Sequence, residues 1–511
     1  MEIITSITPV IIISTSLVAT FLIYFTGEMS KNLREAWTIL AAVIKFAFVM
    51  SMLPTILEGN VIQYTLVSIA PGLIVQFKVD SLGIFFAILA SFLWIITSFY
   101  SIGYMRSLNE HAQTRYFCCF AIALSATMGV AMSGNMFTTF LFYEIITLCT
   151  YPLVAHKETP EALQGARRYL TYLLGTSVAF QLTAVFLTYS AVGTLEFSDK
   201  GLLSDARASG ISDTFLIITF VLYMAGITKA AMMPLHSWLP AAMVAPTPVS
   251  ALLHAVAVVK TGVFVVVKVV LHVFGINLLT ELGLGTALAY FASITIIVSS
   301  IIALKQDNLK RRLAYSTVSQ LSYVILGVAL LTPSAIAGSI MHIVLHAFGK
   351  ITLFFTAGAI YVAHHKTEIS QLDGIGKKMP FTMAAFTLGS LSMIGVPPLG
   401  GFLSKWYIGI GALEAHQLPI ILVLVGSTIL NACYFLPIVY GAFFKEPAHD
   451  EHHGHHGYNN HSHSKHGLEE APALMVVPLV LTAIGAVALF FSPSVFLDLA
   501  RMVVASVIGG N

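Results

Sequence analysis

Runs of about twenty mostly apolar residues follow one another along this chain of 511 residues. An α-helix needs about 20 apolar residues to cross the hydrocarbon core of a bilayer. Only 10% of the residues are charged, whereas about 25% is typical of soluble proteins. The sequence therefore predicts an all-α polytopic membrane protein with about 14 transmembrane helices, two of them interrupted. We expect these helices near residues 8–26, 36–57, 81–103, 115–132, 135–154, 169–191, 213–232, 248–274, 285–304, 314–332, 335–363, 380–411 (interrupted), 418–443 and 473–495.

The first run, residues 8–26, follows no basic segment and precedes no clear cleavage site. We therefore interpret it as a retained span and not as a signal peptide. Of the 26 lysines and arginines, sixteen lie in loops on one predicted side of the membrane, four lie on the other side and six lie inside spans. Because cytoplasmic loops carry an excess of Lys and Arg, the side with sixteen is predicted to be cytoplasmic. The alternation then places both termini on the non-cytoplasmic side of a prokaryotic-type inner (cell) membrane.

Charged side chains inside spans are the strongest functional signal, because a charge at mid-depth costs about 2.5–3.5 kcal/mol. Such residues usually face a bundle interior and carry ions or protons. For Glu144 the alternative is a structural hydrogen bond, and for Lys229 it is snorkelling to the surface. Snorkelling is the favoured interpretation of Lys268, the helix dipole explains Asp80 at a helix start, and Lys45 has no assigned role. We expect proton translocation to involve Glu144, Lys229, Lys260, Lys350 and Lys405.

Three titratable residues, His342, His346 and Lys350, follow i, i+4, i+8 spacing in one apolar run. This spacing places them on one helix face along about 12 Å of helix axis. Because neutral imidazole both donates and accepts a hydrogen bond, the row is a candidate proton relay. His254 is six positions from Lys260, so a water or a distorted turn would have to connect these two.

Two spans are broken in comparable ways, at GITKAAMMP (226–234) and at GVPPLGGFLSK (395–405). Broken helices in corresponding positions of two halves indicate ion sites in transporters built from repeats. Pairing the two breaks predicts two five-helix repeats. The predicted division is N-terminal helices (1–110), first repeat (111–275), second repeat (276–445), histidine-rich cytoplasmic loop (446–470) and C-terminal helix with tail (471–511).

No cofactor, metal site or nucleic-acid partner is expected on this chain. The four cysteines lack CxxC spacing, and no Walker loop, dinucleotide fingerprint or basic nucleic-acid face is present. If the protein belongs to a redox complex, electrons must pass through other subunits. The histidine-rich loop has no fixed ligand spacing, so a solvated linker is favoured over a Zn²⁺ or Ni²⁺ site.

Four long segments carry a family resemblance. The chain resembles the antiporter-like subunits shared by respiratory complex I, membrane-bound hydrogenases and Mrp cation/proton antiporters, over residues 80–445. The segments are PLHSWLPAAMVAPTPVSALLHAVAVVKTGVF (234–264), LKRRLAYSTVSQLSYVILG (309–327), HIVLHAFGKITLFFTAGAI (342–360) and GVPPLGGFLSKWYI (395–408).

The resemblance implies inverted repeats and a polar axis at mid-membrane. Along that axis Glu144 pairs with Lys229, Lys260 follows with His254, and the His/Lys row leads to the residue at the second break. It also implies other membrane subunits as partners, including related antiporter-like subunits. Some relatives have Glu where this chain has Lys405, and the longest relatives continue well past their core. These departures favour the shorter type, such as the D-type component of Mrp antiporters or an internal antiporter-like component of complex I.

Two transport hypotheses follow from the resemblance, and the polar axis is common to both. In the first, the chain pumps protons in a complex I-type translocase such as NADH:quinone oxidoreductase, with the redox centres on other subunits. In the alternative, it belongs to an Mrp Na⁺/H⁺ antiporter. A third hypothesis is a scaffold that does not pump.

Overall fold

The computed structural model of the protein describes residues 2–446 and 468–509, so most of the histidine-rich loop lies outside the described residues. Within that part, eleven helices are long and apolar enough to cross a membrane. Helices dominate because a helix satisfies its backbone hydrogen bonds within one segment. The eleven are α1 (Thr8–Thr26), α2 (Lys31–Leu57), α3 (Ser81–Ser107), α4 (Gln113–Ala131), α5 (Met136–Val154), α6 (Pro160–Val192), α8 (Thr247–Phe274), α9 (Leu284–Leu304), α11 (Pro333–His364), α14 (Leu418–Phe444) and α15 (Ala473–Phe491).

Three further predicted spans are also helical, although these helices are shorter or less apolar. Together with the eleven long helices they confirm the predicted polytopic all-α membrane protein. The first is α7 (Asp213–Gly226), and the second is α10 (Leu309–Ala329), which begins with three basic residues after its first leucine. The third is interrupted as predicted, into α12 (Pro380–Ile394) and α13 (Gly400–Glu414). A last helix, α16 (Ser494–Gly509), follows α15 where the sequence predicts a tail.

A small sheet lies in a region where the sequence predicts only loops. Strands β1 (Ile3–Thr5), β2 (Val61–Ala70) and β3 (Leu73–Val79) are arranged in the order β1-β2-β3. Strand β1 pairs in parallel with β2, and β2 pairs antiparallel with β3 through a two-residue connection. The sheet joins the N-terminus to the α2–α3 connection, so it depends on contacts that the local sequence does not specify.

The two central helices are enclosed by protein. Every residue of α8 is buried, and so is every residue of α11 from 335 to 360. Lipid therefore does not contact α8 or residues 335–360 of α11, and the polar residues of these segments face other helices. Helix α8 is also irregular, with π-helical turns at Leu252–Val256 and Val269–Phe274.

The first helix break separates α7 from α8. A single 3₁₀ turn, Thr228–Ala230, follows α7, and two short helical turns, Trp238–Ala241 and Ala242–Val244, precede α8. The indole of Trp238 donates a hydrogen bond to the carbonyl of Thr228 at 3.0 Å. The backbone nitrogen of Ala231 also donates to this carbonyl, at 2.9 Å, so the indole bond adds a tertiary contact to the 3₁₀ turn.

Gly262 of α8 packs directly against the first break. A Cβ at this position would lie 2.3 Å from the backbone nitrogen of Ala230 and 2.3 Å from the carbonyl carbon of Lys229. No such contact is possible between real atoms, so only glycine allows this approach of α8 to the turn that carries Lys229.

We expect Gly262→Ala to destabilise the protein by about 1–3 kcal/mol, because the added methyl group must push the backbone of the break away. The matched control is Gly409→Ala in α13, where a Cβ would contact nothing within 4 Å and where alanine favours the helix by about 1 kcal/mol. Thermal unfolding in mild detergent measures both changes. Equal midpoints for the two variants would contradict the close packing.

Candidate functional site

Lys229 lies in the 3₁₀ turn of the first break, and its side chain is fully buried. The ammonium nitrogen donates to the backbone carbonyl of Tyr143 at 2.9 Å and to Oγ1 of Thr147 at 2.6 Å, both on α5. The backbone nitrogen of Lys229 donates to the hydroxyl of Tyr143 at 3.2 Å. Helix α5 thus holds both the charge and the backbone of the break.

Glu144 follows Tyr143 on α5 but does not contact the lysine. Its two carboxylate oxygens are shielded from solvent and have no hydrogen-bond partner among the described residues. No ion pair within 4.0 Å joins Glu144 to Lys229 in that part of the chain. The pairing that the resemblance implies is therefore an interaction over distance, and the direct contacts of the Lys229 ammonium are two neutral oxygens and the ring of Tyr143.

The centre of the site is a contact between α8 and α11. The Nζ of Lys260 lies 2.6 Å from Nδ1 of His346. The ring of His346 stacks on that of His342, with centroids 5.8 Å apart, and Nδ1 of His342 lies 2.8 Å from the hydroxyl oxygen of Ser404 on α13. The two histidines lie on one face of α11, as predicted, and they lead from the first half of the chain to the second break.

Lys350, the third member of the predicted row, contacts different helices. Its ammonium donates to the hydroxyl of Ser316 on α10 at 2.8 Å, and the hydroxyl of Tyr434 on α14 also donates to Ser316 at 3.0 Å. Lys350 is fully buried. Its hydrogen bonds therefore extend toward α10 and α14, away from Lys260, His346 and His342.

Lys405 is held by the second break. Its Nζ donates to the carbonyls of Met393 and Ile394, at 2.8 and 2.9 Å, which the end of α12 leaves without helical partners. The ammonium also lies 5.0 Å from the ring centroid of Tyr323, and that ring stacks on His342 at 5.4 Å. Lys405 and His342 thus both contact the ring of Tyr323.

His254 and Lys45 stand apart from this row. His254 lies in the π-helical turn Leu252–Val256, which is a distorted turn of the kind that a link to Lys260 required. Neither ring nitrogen of His254 has a hydrogen-bond partner among the described residues, and the ring packs on Phe354 with centroids 4.5 Å apart. The Nζ of Lys45 lies 4.5 Å above the indole of Trp94, a cation–π contact in the protein interior.

The prediction that Lys268 snorkels to the surface is wrong. Its side chain is 1% exposed, and its Nζ lies 2.5 Å from Oδ2 of Asp80. One turn later, Nδ1 of His272 lies 3.5 Å from Oδ1 of Asp199. A cavity of about 240 Å³ lies against Asp80, Asp199 and His272. Lys268, Asp80, His272 and Asp199 form the ion-pair cluster. The sequence predictions do not include this cluster, although the i, i+4 spacing of Lys268 and His272 in one apolar run is a signal that could have indicated it.

Asp80 does more than interact with the helix dipole. Its carboxylate caps α3 by accepting from the backbone nitrogen of Gly83 at 2.6 Å. Burial opposes ionisation of this carboxyl, but Lys268, His272 and the Gly83 bond together hold its pKa at about 2. Asp80 is therefore a charged partner for Lys268 at neutral pH.

The chain matches a known protein family over more than half of its length. The sequence model described as "NADH:quinone oxidoreductase/Mrp antiporter, TM" matches residues 133–431. The chain belongs to this family. It is 31% identical to NADH-quinone oxidoreductase subunit N of Desulforudis audaxviator, over 86% of each chain.

Two solved structures have the same fold. One is from the membrane-bound sulfane sulfur reductase, an archaeal respiratory membrane complex, with a TM-score of 0.85 at 22% identity over 98% of each chain. The other is from the Mrp complex of Dietzia sp., with a TM-score of 0.85 at 22% identity over 99% of this chain and 98% of that one. The chain spans about half the length of several longer curated relatives that it also matches. It is an antiporter-like membrane subunit, and its division into two repeats stays a prediction.

We expect Asp80→Asn to lower the free energy of unfolding by about 3–5 kcal/mol, because it leaves the Lys268 ammonium buried without its counter-charge. Lys268→Met in the same chain should restore much of this loss, since the unpaired charge is then removed. Thermal unfolding in detergent of the two single variants and the double variant measures the coupling.

The matched control is Asp213→Asn, which removes one carboxylate from an exposed ion pair with Arg207. Its effect should stay below about 1 kcal/mol, because water and salt screen surface pairs. A double variant no more stable than Asp80→Asn alone would contradict the buried pair.

Proposed function

We propose that the chain translocates protons as one subunit of a multisubunit complex of complex I type, driven by electron transfer in partner subunits. The observation that carries the proposal is the Lys260–His346 contact between two helices that are enclosed by protein. A buried ammonium in direct contact with an imidazole is a group that can release a proton beside a group that can accept it.

The proton transfer at this contact is balanced within the pair. Lys260 starts as an ammonium that donates to an unprotonated Nδ1 of His346. Transfer of the proton leaves a neutral amine, whose lone pair then accepts from the new Nδ1–H. His342 stacks on His346 and is not bonded to it, so a ring rotation or a water completes the next step toward Ser404.

The flanking lysines have separate roles in this proposal. Glu144 adjusts the proton affinity of Lys229 through space, because a nearby negative charge favours the ammonium. Lys229 passes the proton toward Lys260, with His254 beside the path. Lys350 and Lys405 control the release of the proton. Lys350 contacts α10, and Lys405 lies at the second break, so each lysine begins a separate route away from His346 and His342.

The orientation of the chain in the membrane is inferred from the distribution of Lys and Arg among its loops. We place the chain in a prokaryotic-type inner (cell) membrane with both termini on the non-cytoplasmic side, because the loops rich in Lys and Arg are then cytoplasmic. In line with the family resemblance, we propose that protons are taken up from the cytoplasmic side and released on the other side.

An Mrp-type Na⁺/H⁺ antiporter is the second candidate function. It is favoured by the likeness of this chain over nearly its whole length to a chain of the Dietzia Mrp complex. In that setting the proton gradient itself is the driving force, and the same lysine and histidine row carries the protons.

Lys260→Ala and Lys229→Ala should each lower proton transport by about 10²-fold or more, because a positioned proton-transfer group contributes at least that much to a transfer step. Dye quenching in vesicles that hold the assembled complex measures the rate. Lys377→Ala, at an exposed position of the short helix Ile375–Lys378, is the control and should retain the parent rate. Full transport by Lys229→Ala in an assembled complex would instead favour the scaffold hypothesis.

Iron and acid-labile sulphide in the complex purified through a tag on this chain distinguish the two candidate functions. We expect stoichiometric iron, because the first proposal places iron–sulphur centres on partner subunits. A complex of membrane subunits without iron would overturn the redox-driven proposal in favour of the Mrp type, and sodium flux in vesicles would then be the assay.

A further inference from the structure

A cluster of two histidines and a glutamate lies outside the proton row. Glu110 and His111 lie in the connection between α3 and α4, and His156 lies just after α5. Each residue offers one ligand atom, and the three atoms lie within 4.8 Å of one another. The connections at the ends of three helices therefore bring together side chains that the sequence separates by about 45 residues.

The distances fit coordination better than hydrogen bonding. Nε2 of His156 lies 3.7 Å from Oε2 of Glu110, which is beyond hydrogen-bond length. Two ligands at about 2.0–2.1 Å from one tetrahedral Zn²⁺ are separated by about 3.3–3.5 Å. The rings of His111 and His156 stack with an interplanar angle of 26° and centroids 4.8 Å apart. Small side-chain rotations would bring all three ligand atoms to one ion.

His156 provides an independent reason to expect a ligand. The residue is fully buried, and neither of its ring nitrogens has a hydrogen-bond partner among the described residues. A buried polar group without a partner costs free energy, so such groups in folded proteins are normally satisfied. A bond from a metal ion to Nε2 would satisfy one of the two nitrogens.

The outer side of the cluster is open to solvent. The side chain of His111 is 49% exposed, so an ion can reach the site from the aqueous phase. Glu158 lies 3.9 Å from Nε2 of His111, but Arg115 holds this carboxylate at 2.6 Å and offsets its charge. Arg115 also donates to the carbonyl of His156 at 3.4 Å. A fourth coordination position is thus left for water, or for Glu158 if it releases Arg115.

The donor set selects the class of metal. Two imidazoles and a carboxylate suit Zn²⁺ and its neighbours Co²⁺ and Ni²⁺, whereas Ca²⁺ and Mg²⁺ prefer oxygen ligands alone. We propose that Glu110, His111 and His156 bind one divalent transition-metal ion of the Zn²⁺ class. The ion ties the α3–α4 connection to the α5–α6 connection. This site is independent of the proposed proton transport.

The test measures Zn²⁺ binding and Co²⁺ spectra on the purified full-length chain in its complex. All eight histidines within residues 447–467 are first replaced by serine, because this segment would otherwise bind the same ions. Titration calorimetry with Zn²⁺ alone gives stoichiometry and affinity, and Co²⁺ gives visible absorption bands that report tetrahedral nitrogen and oxygen ligands. Thermal unfolding with and without Zn²⁺ reports stabilisation of the folded state.

The ligand variants are His111→Asn and Glu110→Gln. The matched control is His416→Asn, which changes another histidine far from the cluster in sequence. We expect one Zn²⁺ per chain in the histidine-free-loop parent and in the control. Each ligand variant should weaken binding by about tenfold or more and should remove the Co²⁺ bands, as loss of a metal-site residue typically does.

Two results would overturn the proposal. One is the absence of saturable Zn²⁺ binding by the parent whose loop histidines are replaced. The other is equal affinity in the parent, His111→Asn and Glu110→Gln, which would assign the binding to other residues. The His111→Asn and Glu110→Gln variants leave the buried His156 in place, and unfolding midpoints without Zn²⁺ check that the chain remains folded.

Discussion

The contact between Lys260 and His346 is the interaction on which the rest of the structure depends. It joins α8 to the central part of α11 (335–360), and every residue of these two segments is buried within the protein. A charge can remain at this depth only where a polar partner replaces water. The surrounding helices provide that enclosure, and the polar row through the membrane follows from it.

Both helix breaks provide oxygen partners for a lysine inside the membrane, but the oxygens come from different segments. At the first break, Lys229 is held by oxygens of the neighbouring helix α5. At the second, Lys405 is held by the carbonyls that its own interrupted span exposes. In both cases irregular backbone is tolerated because it lies within protein, where it is next to a lysine ammonium. Each break thus makes a place for a charge that a continuous helix could not hold.

Much of the candidate site was predictable from residue type and spacing. His342 and His346 share a face of α11 because side chains at i and i+4 always do. Lys350 has the same spacing, yet it contacts Ser316 on another helix, since a long flexible side chain can turn toward whichever polar partner the packing offers. Lys268 shows more clearly what residue type and spacing cannot predict. Its position near a helix end favoured snorkelling, but Asp80, 188 residues away in the chain, receives it as a buried ion pair.

The sequence by itself determined that the chain crosses a membrane many times, where most spans lie and which ionisable residues are forced into the bilayer, because apolar length and charge are local properties. The four quoted segments also identified the family. Only the tertiary structure decided which charges meet, that β1 pairs with the α2–α3 connection, and that His111 and His156 lie together. These features depend on contacts between distant segments, and the packing of whole helices, which no local pattern encodes, sets those contacts.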